Sequence, residues 1–312
     1  MNSKEKLLVI VGPTAVGKTA LSIDLAKELS GEIISGDSMQ VYKGMDIGTA
    51  KITKEEMESI PHYLIDIIYP HEAFSVADFQ HESRRLITDM NYRGKLPMIV
   101  GGTGLYIQSV IYEYQFSEAQ KDHSLRDALE KFAEEHGKEA LHQRLQSIDP
   151  ITAERLHPND VKRVIRALEI YQLTGKPMAE FQQRSPESPY QLCLLGLTME
   201  RSVLYERINR RVDIMVEQGL VDEVRRLLDE GYHKGLQSMQ GIGYKEMVEH
   251  LEGTLSLDEA VELIKKNSRN FAKRQLTWFR SMKDITWQDM TNPGDRQELV
   301  ENIRTFVAGK IR

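Results

Sequence analysis

Leu7-Leu8-Val9-Ile10-Val11-Gly12-Pro13-Thr14-Ala15-Val16-Gly17-Lys18-Thr19 is the segment from which the architecture follows. Its first five residues are an unbroken apolar run, the length of a buried strand. The next eight fit G-x-x-x-x-G-K-[S/T] at every position, and the residues from Thr19 to Glu28 continue with Leu21, Leu25 and Leu29 at helical spacing. A glycine-rich turn between a strand and a helix is the context in which this motif cradles phosphate. The backbone N–H groups of Gly12, Thr14, Ala15, Val16 and Gly17 can turn toward phosphate oxygens. The start of the helix adds partial positive charge. Lys18 supplies a full one, and the Thr19 hydroxyl can ligate Mg²⁺. The motif is strong evidence for a pyrophosphate site and weak evidence for its owner; ATP or GTP is the first guess.

Beyond this segment the strand signals continue. Glu32 to Ser35, His62 to Ile68 and Pro97 to Val100 are expected strands, with a helix over Val76 to Met90 between the last two. Strands alternating with helices predict an α/β fold: a parallel sheet of the P-loop NTPase-like kind with helices on both faces. Ligands of such sheets sit beyond the carboxyl ends of the strands, where the phosphate loop and Asp37 both fall. From about residue 116 the pattern turns purely helical: Ser124 to His136, Lys138 to Gln146 and Val161 to Thr174. Breakers at Gly175-Lys176-Pro177 and Ser185-Pro186-Glu187-Ser188-Pro189 follow. Gln191 to Thr198 reads as a strand again, and Ile285 to Trp287 as a last one. The expected organisation is a catalytic core over 1–115 and 190–312, interrupted by a helical insertion over 116–189.

The chain has 312 residues, 40% hydrophobic and 28% charged, with net charge −6. That size and composition can bury a sizeable core. The negative balance argues against a protein that coats nucleic acid by bulk attraction, while leaving room for a local basic face. The single cysteine, Cys193, forbids an intramolecular disulfide and argues against a cysteine-built zinc site. Its apolar neighbours make it a buried strand residue. No apolar run suits a signal peptide or a membrane span, so a cytoplasmic protein without a membrane partner is expected.

A second segment narrows the reading. Ser35-Gly36-Asp37-Ser38-Met39-Gln40-Val41-Tyr42-Lys43-Gly44-Met45-Asp46-Ile47-Gly48-Thr49-Ala50-Lys51 follows the second strand. Later come Val100-Gly101-Gly102-Thr103-Gly104-Leu105-Tyr106, His157-Pro158-Asn159-Asp160 with Arg163 and Arg166, and Arg207 with Arg211. Gly241-Ile242-Gly243-Tyr244-Lys245-Glu246 and Ala272-Lys273-Arg274-Gln275-Leu276-Thr277-Trp278-Phe279-Arg280 complete the set. In this order, over residues 7–280, the chain resembles the tRNA dimethylallyltransferases (tRNA isopentenyltransferases), in the bacterial form without a zinc finger. Departures are confined to Ile52, Tyr63, Ser268 and Asn270, outside the catalytic set.

The resemblance implies transfer of a dimethylallyl group from dimethylallyl diphosphate to N6 of the adenosine on the 3′ side of the anticodon. The phosphate loop would then hold the isoprenoid diphosphate with Mg²⁺, and the partner would be a tRNA anticodon loop; a monomer is expected. The leaving diphosphate needs its growing charge stabilised. Arg207 and Arg211 share a helix face and suit that task, although Glu206, Asp213 and Glu217 could pair with them on a solvated face. Asp37 can take the N6 proton as base or be a helix cap or a Mg²⁺ partner; the resemblance favours the base. Thr103 resembles the family's residue at the reacting centre, and could be a turn residue.

Implied tRNA contacts are Asp37, Ser38, Met39, Gln40, Thr103, Arg126, Val161, Lys162, Arg163, Val164 and Ile165, with Gln240, Gly241, Ile242, Gly243, Tyr244, Lys245, Lys273 and Arg274. Residues 265–283 carry seven basic and no acidic side chains, a basic face suited to a phosphate backbone. Trp278 and Phe279 are read there as core residues rather than stacking platforms. Rival readings are a small-molecule kinase, which shares the loop but does not need the 37–51 and 241–280 segments, and an isopentenyltransferase acting on free adenine nucleotides.

Overall fold

Residues 4–116, 122–181 and 187–311 are described by the computed structural model. The first strand, β1 (Lys6–Val11), is buried along five of its six residues. Beyond Gly17 the chain enters α1 (Lys18–Leu29). Then come β2 (Gly31–Ser35), β3 (His62–Tyr63), α2 (Val76–Tyr92), β4 (Leu96–Gly101) and α3 (Gly104–Ile111). A run of helices follows: α4 (His123–His136), α5 (Lys138–Ile148), α6 (Pro150–Arg155), α7 (Val161–Thr174) and α8 (Met178–Phe181). β5 (Gln191–Thr198) returns to the sheet. α9 (Arg201–Glu217), α10 (Leu220–Asp229), α11 (Tyr244–Leu251) and α12 (Leu257–Arg280) precede β6 (Thr286–Asp289) and α13 (Arg296–Lys310).

The six strands form one sheet in the order β3-β2-β4-β1-β5-β6, and every pairing is parallel. β1 lies between β4 and β5, with Val11 level with Gly101 and Gly196. Alternate residues of β1 face opposite sides. Leu8 and Ile10 join a core with Leu21 and Leu25 of α1 and Val300 and Ile303 of α13. α2 and α3 pack on one another and, together, on β1, β2 and β4. A second core joins Val41, Tyr42 and Met45 to Val212, Val224, Tyr244 and Ile264.

Two compact units result: residues 1–111 with 188–312, and residues 112–187. The second is built on Leu129, Leu141, Leu145, Val164 and Leu168. It also contains two short helices that the periodicity does not predict, α6 and α8. Asp149 caps α6, accepting from Thr152 N–H at 3.0 Å, and its other oxygen accepts from Ala179 N–H. The strand expected over His62 to Ile68 shrinks to two residues. Leu64 and Asp66 adopt positive φ, 61° and 55°, which ends extended pairing. Ile68 survives as an isolated bridge to Tyr42. Part of the breaker run at residues 185–189 lies outside the described residues. Among the described residues no helix is long and apolar enough to cross a membrane.

Candidate active site

The tip of β1 gives the phosphate loop its shape. Gly12, with φ 156°, lies so close to the sheet that a Cβ there would meet the Leu197 carbonyl at 2.7 Å. Gly17 and Ala15 take positive φ, 101° and 65°, the alternation that turns successive amides to one side. Val16 is fully buried, so it offers the loop only its backbone. Lys18 curls over the loop and donates to the carbonyls of Gly12 at 2.9 Å and Pro13 at 2.8 Å. Burial, reinforced by Arg211 and opposed by Asp37, lowers the Lys18 ammonium to a pKa of about 8.

Two cavities meet here. One, of about 480 Å³, is lined by Ala15, Gly17, Lys18 and Thr19 of the loop and by Arg207, Arg211 and Arg296. The other, of about 400 Å³, has Thr14, Asp37, Ser38, Thr103 and Arg211 along one part, Gln240 to Lys245 along another, and apolar walls from Ile208, Val212, Ile264 and Phe271. Arg211 and Ala50 line both. Arg211 donates to the Ala50 carbonyl at 3.4 Å, and no carboxylate among the described residues is bridged to it. Burial lowers its pKa, against the pull of Asp37 and Glu56. Two cations under such a penalty in one place form a site short of negative charge.

Asp37 and Thr103 come from different strands and are laced together. Gly36 N–H donates to Val100 O at 2.8 Å and Thr103 N–H to Gly36 O at 3.2 Å. A Cβ on Gly101 would lie 2.2 Å from the Gly36 carbonyl oxygen, so this crossing tolerates only glycine at 101. Ser38 N–H donates to Thr103 Oγ1 at 3.1 Å, and Met39 N–H to Asp37 Oδ1 at 2.8 Å. Gln40 accepts from Ser35 Oγ at 3.0 Å. Asp37 therefore stands at the channel wall with one oxygen fixed by its own turn.

The remaining sequence candidates separate into two groups. Thr14, Asp37, Ser38, Met39, Thr103, Gln240 to Lys245 and Arg274 converge on the channel. The Tyr244 ring is fully buried within that wall, its hydroxyl donating to Glu223 at 2.7 Å. Lys273 is exposed beside Arg274. In the unit over 112–187 the expected contact residues differ in exposure. Val164 and Ile165 are 0% and 3% exposed core residues, so packing denies their side chains to a partner; Lys162 and Arg163 alone in that segment are exposed. Arg126 is held in a two-pronged pair by buried Glu169, at 2.8 and 2.7 Å. Within the basic helix, Phe279 is buried as expected, but Trp278 is 37% exposed. The solvated-face alternative for Arg211 also fails: Asp213 pairs with Lys265 instead, at 2.8 Å.

Two residues that the motifs do not single out hold the site. Glu223, 7% exposed, accepts from the amides of Asp46, Ile47 and Gly48 at 3.0, 2.8 and 3.1 Å and so fixes the loop that carries Ala50. Gln275, 5% exposed, reaches both the phosphate loop and the turn before Thr103. One signal in the sequence points to Gln275: an uncharged polar residue on the apolar stripe of Ala272 and Phe279. Nothing in the sequence distinguishes Glu223 from the surface acids of its helix.

Among the described residues no group of three or more His, Cys, Asp or Glu is placed to hold a metal. Thr19 is exposed in the phosphate cavity beside Lys18. Such a donor set fits an ion like Mg²⁺ that takes most of its ligands from substrate phosphate and water, and no tighter metal site.

A parallel sheet with a phosphate loop at the tip of a central strand defines an α/β protein of the P-loop kind. Residues 40–282 match the model of the IPP transferase family. The chain belongs to that family. It is 57% identical over 309 residues to a tRNA dimethylallyltransferase of Geobacillus thermodenitrificans, covering 99% of this chain and 98% of the relative. It is 56% identical to the protein of that name from Halalkalibacterium halodurans, covering 99% and 98%. Among solved structures, a full-length tRNA isopentenylpyrophosphate transferase from Bacillus halodurans aligns with TM-score 0.75 at 55% identity, over 98% of this chain and 97% of that one. A eukaryotic dimethylallyltransferase acting on tRNA aligns with TM-score 0.84 at 33% identity, over 98% and 80%.

Proposed function

We propose that the protein transfers the dimethylallyl group of dimethylallyl diphosphate to N6 of the adenosine on the 3′ side of the anticodon in tRNA, and releases diphosphate. The observation that carries this reading is the junction of two cavities at Arg211. On one side are Lys18, Thr19 and the loop amides, suited to a diphosphate. On the other are Asp37 and Thr103, in a channel with apolar and polar walls suited to a prenyl group and a base. A bond formed between molecules in the two cavities would form at that junction.

The reaction breaks the bond from the allylic carbon to the diphosphate oxygen and forms one from that carbon to N6. N6 then carries one proton too many, which the Asp37 carboxylate accepts. Negative charge grows on the departing diphosphate, and Lys18, Arg211 and the loop amides meet it with dipoles and charges already in place. Mg²⁺ bound through the diphosphate and Thr19 would add to that neutralisation. Ser38 and Thr103 hold the turn of Asp37 against the channel. The adenine has to leave its stack to enter, at a cost of a few kcal/mol. Exposed Lys273 and Arg274 offer the flanking phosphates a counter-charge. The reading includes a monomeric enzyme.

The test is a mass spectrum of nucleosides from unmodified tRNA incubated with the protein, Mg²⁺ and dimethylallyl diphosphate, with parallel reactions on AMP or with ATP as donor. One adenosine gaining one dimethylallyl group, with tRNA and the isoprenoid donor only, is the expected outcome. Modification of AMP in place of tRNA, or no gain at all, would refute it. Omitting Mg²⁺ and adding a chelator should suppress the product.

A further inference from the structure

Gln275 joins two peptide units that each have a second job. Its Oε1 accepts the Thr14 N–H at 2.9 Å. The same Pro13–Thr14 peptide presents the Pro13 carbonyl to Lys18 Nζ at 2.8 Å. Its Nε2 donates to the Gly102 carbonyl at 3.0 Å. The same Gly102–Thr103 peptide presents the Thr103 N–H to the Gly36 carbonyl at 3.2 Å, immediately before Asp37. A peptide unit is planar, so fixing its N–H fixes its C=O. The side-chain amide is 5% exposed, and both of its polar atoms are bonded. A Cβ on Gly102 would lie 2.1 Å from Nε2, so the carboxamide sits in space that only glycine leaves open at 102.

We propose that Gln275 is a positioning residue that sets the Lys18 ammonium and the Asp37 carboxylate in register, through the peptides 13–14 and 102–103, for the transfer proposed above. It spans the tips of β1 and β4, and the second peptide carries the constraint to β2. It touches neither substrate. The requirement is for a side chain that accepts at one end and donates at the other, which only a carboxamide or a neutral carboxyl provides at this length. Because Gln275 lies on α12 next to Arg274, which lines the channel, the helix that meets the acceptor also holds the donor loop.

Two variants test this. Gln275→Met keeps the volume and removes both bonds. It should lower kcat by about 10- to 100-fold, the scale of a small misplacement of reacting groups, and change KM for tRNA by less than about threefold. Gln275→Glu can make both bonds only while its carboxyl is protonated, and burial raises that pKa. Its kcat relative to wild type should therefore fall as pH rises from about 5 to about 8, spanning the range above the ordinary glutamate value. A side chain that merely fills space predicts a ratio independent of pH. A Met variant within about twofold of wild-type kcat, or a flat ratio for the Glu variant, overturns the proposal. If the Met variant fails to fold by circular dichroism, the Glu profile decides alone. The inference rests on the transfer reaction proposed above. Wild-type protein in the same assay separates the two: no turnover there sinks the reaction, whereas wild-type turnover with a flat Glu ratio sinks only the role of Gln275.

Discussion

Two groups of cations in this molecule face opposite circumstances. In the unit over 112–187, Arg126 and Arg166 both close on Glu169, whose side chain is 0% exposed. Burial works to raise the Glu169 carboxyl, but the hydrogen bonds from Arg126 and Arg166 prevail and hold it at about 2. At the tip of β1, Lys18 and Arg211 sit together with no bridged carboxylate among the described residues, and burial lowers both. The first arrangement is complete within the protein and builds structure. The second is complete only with an anion and builds a site. Basic residues in a sequence do not announce which kind they are; the partner in space does.

The sharpest test of that contrast removes Asp37, whose carboxylate acts electrostatically on both Lys18 and Arg211. Asp37→Ala should cut turnover by about 10²- to 10⁴-fold, the usual weight of a general base, with tRNA binding kept. Lost tRNA affinity with normal turnover per bound complex would move Asp37 out of that role. Arg211→Ala should cost about 10²- to 10³-fold in kcat, as for loss of one preorganised charge, without lowering thermal stability, since it relieves a penalised cation. A drop in melting temperature would class Arg211 with Arg126 instead.

Glu169→Ala should do the reverse. Breaking a buried pair costs about 3 kcal/mol, at the low end of the usual range because both arginines keep access to water; turnover per folded molecule should hold. Chemical denaturation alongside an active-site titration checks both halves. The same carboxylate sets an acid limit. Its folded pKa of about 2 lies below the ordinary 4.5, so its contribution is fully present above about 4.5 and is lost as pH falls toward 2.

The smallest expected effect is a pH dependence at the other group. Lys18 titrates near 8 in the unliganded protein, and an anion needs its charged form. Pyrophosphate affinity, measured by calorimetry, should weaken as pH rises above about 8, by up to about tenfold per unit, with proton uptake on binding. In Lys18→Met that dependence should vanish; its persistence would assign the titration elsewhere. The stability term has the opposite sign. A lysine depressed on folding gives up its proton more easily when folded, so its penalty on the fold is relieved as pH rises from about 8 toward 10.5.

Chemistry written in contiguous residues is legible in the sequence itself. The strand, glycine turn and helix around Gly12 to Thr19 stand as read, because a local turn and its neighbouring periodicity need only nearby sequence. The parallel sheet follows from alternating elements, and the bounds expected for β5 match to the residue. Val164 and Ile165 show what such reading leaves to the fold. Their segment resembles a contact segment, yet the 3.6-residue period turns these two side chains inward and Lys162 and Arg163 outward.

Sequence alone specifies the elements, the phosphate loop and the family resemblance, since each depends on short spacings or on an ordered set of motifs. Which charges are answered and which are not is settled only when the chain folds in three dimensions. Gln275 and Thr14 are 261 residues apart, Glu223 and Ile47 176, and Arg126 and Glu169 43. No local pattern encodes such pairs; they exist only once packing brings distant backbone amides and side chains into a dry interior, where an unanswered polar group is costly and an answered one is fixed in place.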